Sequence, residues 1–230
     1  MTRPSAIADL LGDDPKQRSR GLDVVARGYW KPVYKYIRLR WKADAERAED
    51  LTQSFFAVAL DRETLANYEP ARARFRTFLR ACVDRHVIDD HRRTSAARRG
   101  GGGVHLDFAT AESELTATTG PGDPGDVFDA EWLRHLMRMA LDRVDDVLIE
   151  RGKPVHAALF REFHLGDDPP SYADAAARHG ITVTDVTNWL HVARREFRRV
   201  ALDILRELTV DDDEFAAEAR AVFGIDVGEP

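Results

Sequence analysis

Residues 74–93 read RFRTFLRACVDRHVIDDHRR. On a wheel advancing about 100° per residue, Phe75, Phe78, Leu79, Cys82, Val83, His86 and Val87 fall on one stripe. That spacing predicts an amphipathic helix with the stripe turned toward a core. Arg76, Arg80 and His91 fall on the other side. Arg92, Arg93, Arg98 and Arg99 crowd the C-terminal end, where the helix dipole favours positive charge. One use of such a helix is to pack on one side and lie along a phosphate backbone with the other, its leading aromatics stacking on unpaired bases. The plainer use is a core helix with solvated arginines. Cys82 and His86 are four apart with His91 close, a spacing open to a metal. Both of the first two lie on the apolar stripe, so packing is the better reading, and no metal or cofactor is expected.

The same helical period runs through most of the chain, and Val and Ile rarely occur in runs. The expected fold class is therefore all-α, with two small helical domains joined by a flexible acidic linker and a helix-turn-helix in the second. With 230 residues, 43% of them hydrophobic, the chain can bury one or two cores. No apolar run approaches the ~20 residues of a membrane span. The opening MTRPSAIADL lacks the apolar stretch of a signal peptide. A single cysteine excludes an internal disulfide framework and fits a reducing cytosol, so a cytoplasmic location is expected.

The net charge of −6 conceals an asymmetry. Residues 16–100 carry 20 Lys and Arg against 11 Asp and Glu, whereas residues 101–152 carry 4 against 11 and residues 201–230 carry 2 against 9. A basic first half in an acidic chain attracts phosphate. RRGGGG (98–103) breaks the helix, because consecutive glycines lose too much backbone entropy on ordering. The expected organisation is a tail over 1–15, a helical domain over 16–99, a Gly-rich acidic linker over 100–128, a second helical domain over 129–209 and an acidic tail over 210–230.

Two further segments carry information. AERAEDLTQSFFAVAL (45–60) reads as a helix with Leu51, Phe55, Val58 and Ala59 toward the core. Glu49, Asp50 and Gln53 form a polar cluster off that stripe, beside an exposed Phe56. DDPPSYADAAARHGITVTDVTNWLHVARREFRRV (167–200) has the grammar of two helices and a tight turn. Ser171 with Asp174, and Thr182 with Asp185, are capping boxes. Gly180 stands where a left-handed C-cap is needed. The second helix should bury Val186, Leu190, Ala193, Phe197 and Ile204 and present Thr184, Asn188, His191, Arg195 and Arg199. Short polar residues first and arginines later suit a major groove, with base edges near the N-terminus and phosphates beyond.

Taken together these motifs resemble a bacterial RNA polymerase sigma factor of the extracytoplasmic-function type. The resemblance rests on AEDLTQSFF, on FRTFLRACVDRHVIDDHRR and on SYADAAARHGITVTDVTNWLHVARREFRR, in that order and separation. It implies a promoter-specificity subunit whose partners are core polymerase and promoter DNA, both duplex and melted, with an anti-sigma factor or a kinase as a regulator. It implies that Glu49, Asp50, Leu51, Gln53 and Phe56 contact the polymerase clamp. Phe75, Arg76, Phe78, Arg80, Arg85, Arg92 and Arg93 would meet the promoter element near the start site. Thr184, Asp185, Asn188, His191, Arg194, Arg195 and Arg198 would face the upstream element. The acidic linker would thread a basic polymerase channel as an RNA mimic. The family often has Asn at the position of Arg85, and Lys and Arg at those of Thr187 and Trp189. The loss of two cations should weaken phosphate binding and flatten its salt dependence.

The alternative is a stand-alone helix-turn-helix regulator that binds duplex DNA as a dimer. Enzyme signatures are missing: there is no phosphate loop and no supported nucleophile, and the adjacent pairs Asp89–Asp90 and Asp145–Asp146 point to different helix faces. The acidic tail places Phe215, Ala219, Val222 and Phe223 on one stripe of a short helix over 213–223. Such a helix either packs on the second domain or folds back on the basic first one and holds the protein inactive.

Overall fold

The computed structural model describes residues 5–94, 108, 111, 123–166 and 168–226. Those residues are helical or turn, with no strand among them. The helices are α1 (Ala6–Leu11), α2 (Pro15–Arg40), α3 (Ala45–Ser54), α4 (Arg62–Leu65), α5 (Phe75–Thr94), α6 (Pro124–Glu150), α7 (Pro154–His164), α8 (Tyr172–His179), α9 (Val183–Glu207) and α10 (Asp212–Phe223). A π-helical turn, Phe55–Ala59, continues α3. The chain divides into two compact units. One comprises Met1–His135 with Leu205–Pro230, and the other Leu136–Ile204.

The first unit is built around α2. Asp14 caps its first turn through Lys16 N–H, 2.8 Å away, and Pro15 supplies a preset φ at the helix start. Tyr29 sits at the centre, with its ring edge-on to Phe75 at 5.8 Å and stacked on Trp132 at 6.3 Å. Its hydroxyl donates to the Leu208 carbonyl at 3.4 Å. Burial and the carboxylates of Glu214 and Glu218 hold its pKa well above that of an ordinary phenol. Lys35 of α2 and Glu131 of α6 form a buried ion pair at 2.6 Å.

Three expectations need correcting in this unit. Residues 1–15 are not simply a tail: Ser5 caps α1, and Ala6, Ile7 and Leu10 are buried. Gly21 of α2 permits the contact, since a β-carbon there would lie 2.5 Å from the Ala6 carbonyl oxygen. Most of 100–128, expected as a linker, lies outside the described residues, as do Arg98 and Arg99. Phe108 from that segment is nevertheless buried against Trp30 and Tyr34, with ring centroids 5.5 and 5.2 Å apart, and Ala111 is buried too. Aromatic burial fastens Phe108 to the core. Helix α6 begins at Pro124, inside the stretch expected as linker, so Asp126 is helical rather than part of a linker.

The second unit packs α7, α8 and most of α9 with the latter part of α6. Val144, Leu148, Ala157, Phe160 and Ala193 form one apolar cluster, and Leu159, Ala175, Ala176, Val186 and Leu190 form another. Ion pairs frame them: Arg161 with Asp145 at 2.6 Å, Arg151 with Glu196 at 3.0 Å, and Arg178 with Glu162 at 2.7 Å. Burial pushes the Glu196 carboxyl up, but Arg199 and Arg151 outweigh it and leave its pKa lowered.

Candidate nucleic-acid interface

Helix α5 carries most of the first unit's candidate residues. Phe75, Leu79, Cys82, Val83, His86 and Val87 are buried as the stripe requires, and Phe78 is half-buried against Tyr68. Phe75 is wholly enclosed, so it offers no face on which a base could stack, and its assignment to DNA contact is corrected. Cys82 and His86 are packing residues. Burial raises the Cys82 thiol to a pKa of about 11, only partly opposed by Arg85. Burial, with Arg93, lowers His86 to about 4. His86 Nε2 shares a 2.8 Å hydrogen bond with Ser54 Oγ, tying α3 to α5.

Arg76 is a second correction. Expected on an open face, it is pinned: its side chain is 12% exposed, its Nε lies 3.1 Å from Glu218, and its guanidinium stands 4.9 Å from the Trp132 ring centre. Helices α6 and α10 cover that side of α5. Arg80 is half-buried and lines a cleft with Tyr36, Arg40, Asp84, Asp123, Pro124 and Gly125. Asp84 accepts hydrogen bonds there from the Tyr36 hydroxyl at 3.0 Å and from Trp41 Nε1 at 3.0 Å. Burial, with that carboxylate, pushes the Tyr36 hydroxyl up to about 12. Neither Arg40 nor Arg80 has an ion-pair partner among the described residues. Sequence reading missed this cleft, because Tyr36 and Arg40 lie on a helix it left unassigned and Trp41 caps that helix. Arg85, Arg92 and Arg93 are exposed, and Arg92 stands 3.6 Å from Asp89.

On α3 the polar cluster is open: Asp50 is exposed, and Glu49 and Gln53 are half-buried. Leu51 and Phe56 are buried, which removes them from any direct contact with a partner. Phe56 packs on Phe55, with ring centroids 5.1 Å apart. Val58, expected in the core, is 64% exposed. The physical reason is the π turn at Phe55–Ala59. Its wider i→i+5 bonding rotates each residue by less than an α-helix does. The helical wheel therefore slips, Phe56 turns inward and Val58 outward.

In the second unit the local grammar of α8 and α9 is present in detail. Ser171 Oγ accepts from Asp174 N–H at 3.1 Å, and Asp185 N–H donates to Thr182 Oγ1 at 3.1 Å. Gly180 has φ +65°, and Ile181 N–H donates to the Ala176 carbonyl at 3.0 Å, closing the end of α8. Val186, Leu190 and Ala193 face inward, while Thr184, Asn188, His191, Arg194, Arg195 and Arg198 are exposed. Asp185 is committed to its cap, and the Thr182 hydrogen bonds lower its pKa. Arg194 Nε donates to His164 Nε2 at 3.0 Å. Arg199 is held by Glu196 at 2.5 Å and Asp203 at 2.8 Å, whereas Arg194, Arg195 and Arg198 have no ion pair among the described residues, and of these Arg194 is engaged by His164. Trp189 stacks on His156 at 4.7 Å, so it packs rather than replaces a cation.

Comparison of the chain with protein-family models, curated proteins and solved structures finds no match.

Proposed function

We propose that this chain is a promoter-specificity subunit of bacterial RNA polymerase, active in the cytoplasm and without catalytic chemistry of its own. The observation that carries the reading is the surface of α9. A tight glycine turn precedes it, and Thr184, Asn188, His191, Arg195 and Arg198 stand exposed together opposite a buried apolar side. In this reading α8 and α9 form a helix-turn-helix and α9 enters the major groove. Polar residues near its start meet base edges, and Arg195 and Arg198 meet phosphates.

The first unit supplies the remaining functions. Asp50, with Glu49 and Gln53, forms the docking edge for core polymerase. Arg85, Arg92 and Arg93 at the far end of α5 hold the melted strand by its phosphates. The cleft of Tyr36, Arg40 and Arg80 joins an aromatic ring to two guanidinium groups without ion-pair partners among the described residues, a lining that suits an unstacked nucleotide.

The test is a pull-down of purified core polymerase with the full chain and with Asp50→Ala/Gln53→Ala. Capture by the wild type that the double substitution weakens supports the reading. No capture at low salt, together with tight and sequence-specific binding to duplex DNA alone, replaces it with a stand-alone regulator.

A further inference from the structure

Helix α10 lies within the first unit and directs two carboxylates at the start of α5. Glu214 Oε1 accepts from Phe75 N–H at 2.6 Å, and its Oε2 accepts from Val210 N–H at 2.7 Å. Glu218 is 2% exposed and faces Arg74 at 3.4 Å and Arg76 at 3.1 Å. An N–H at the start of a helix flanked by two guanidinium groups is the arrangement that binds a phosphate oxyanion. Here two carboxylates fill it.

Packing alone does not call for charge at this place. Phe215 and Ala219 already bury an apolar stripe, and Arg206 stacks over Phe215 at 3.9 Å. Glutamates in so enclosed a position carry a desolvation cost that an apolar residue would avoid. Burial raises the pKa of both carboxyls, which Arg76 and Arg74 only partly offset at Glu218. The helix is also amply acidic, with Asp212, Asp213 and Glu214 in its first turn.

We propose that α10 is an internal competitor for nucleic acid: Glu214 and Glu218 occupy an anion site made by the Phe75 N–H, Arg74 and Arg76, and a single-stranded DNA phosphate takes that site when α10 releases it. The inference rests on the reading of α5 as a DNA-binding helix and adds a site and its regulation to it. Bound DNA extends toward the start of α5 only in the released form. The form with α10 docked is restricted to the exposed Arg85, Arg92 and Arg93.

The test measures binding of a labelled oligothymidine strand to the full chain by fluorescence anisotropy. The variants are Glu214→Gln/Glu218→Gln, Arg74→Ala/Arg76→Ala and Arg92→Ala/Arg93→Ala. Glutamine removes the charge and keeps one acceptor oxygen for the Phe75 N–H, giving up the second acceptor that Glu214 offers to the Val210 N–H. The glutamine variant should bind about tenfold more tightly or better, with a steeper salt dependence. Hydrogen exchange of residues 212–223 in the wild type should accelerate when the strand is added, a readout independent of whether any variant folds. Unchanged affinity in the glutamine variant, and unchanged exchange in α10, while Arg92→Ala/Arg93→Ala weakens binding, would overturn the competitor and leave the DNA-binding reading of α5 intact. No binding by any form would overturn both.

Discussion

The ion pair between Lys35 and Glu131 invites a quantitative test. The two side chains are 1% and 2% exposed, and their charged atoms are 2.6 Å apart. At an effective dielectric constant of about 20 their attraction is on the order of 6 kcal/mol, and desolvation of two ions costs several kcal/mol each. The pair is therefore close to neutral as a whole. Removing the lysine alone is different, because Glu131 keeps its burial and loses a cation. Breaking a buried pair this way costs about 3–5 kcal/mol. Glu131 is also ion-paired to Arg134, which is half exposed, so Lys35→Met should fall at the low end, about 3 kcal/mol. Lys35→Met/Glu131→Leu should return to within about 1 kcal/mol of the starting stability. Urea unfolding in a Trp189→Phe background reports this cleanly, since Trp30, Trp41 and Trp132 then report the first unit alone. If the double variant is as unstable as the sum of the single ones, the two residues do not depend on each other and the reasoning fails.

Other predictions follow from single contacts. Gly21→Ala should gain up to about 1 kcal/mol of helix propensity, yet the new β-carbon would meet the backbone of Ala6 and Leu10 at 2.5 and 2.7 Å. The clash, about 1–3 kcal/mol, should win and lower the melting temperature of the first unit; a rise in that temperature would refute the close approach of α1. Gly180→Ala, at φ +65°, should cost the second unit about 1–2 kcal/mol, read from hydrogen exchange of residues 172–190 against urea. His86 is neutral when folded down to about pH 4, against an ordinary value of 6.5. Between those values the unfolded chain binds the extra proton, so His86 contributes stability above about pH 6.5 that is lost as the pH falls toward 4. The loss is on the order of 3 kcal/mol. Glu214 and Glu218, with raised pKa values, act in the opposite sense, so the quantity to measure is the difference between wild type and His86→Gln across that range. A flat difference would show that His86 is not held neutral by burial.

Much of the helical grammar was legible in the sequence because it is local. The stripe of Leu79, Val83 and Val87 follows from the helical period, and each is buried. The caps at Ser171, Gly180 and Thr182 involve partners within five residues, so spacing alone exposes them. The open residues of α9 followed for the same reason: once Val186, Leu190 and Ala193 are inside, geometry leaves Thr184, Asn188 and His191 outside. Even the location of the acidic helix near residue 213 was legible from its pattern.

What the tertiary structure decided is which of these surfaces stay open. Arg76 looked free on a helical wheel, but its partner Glu218 is 142 positions away in the numbering, and no local pattern pairs them. Phe108 read as part of a linker, and only the pocket between Trp30 and Tyr34 makes it core. Phe56 and Val58 exchanged places because a wider helical turn altered the rotation on which the wheel depends. Periodicity reports the side of a helix that is apolar. Which neighbour covers the remaining sides is set by long-range contacts, and those determine whether an arginine is available for a partner or already held by the chain itself.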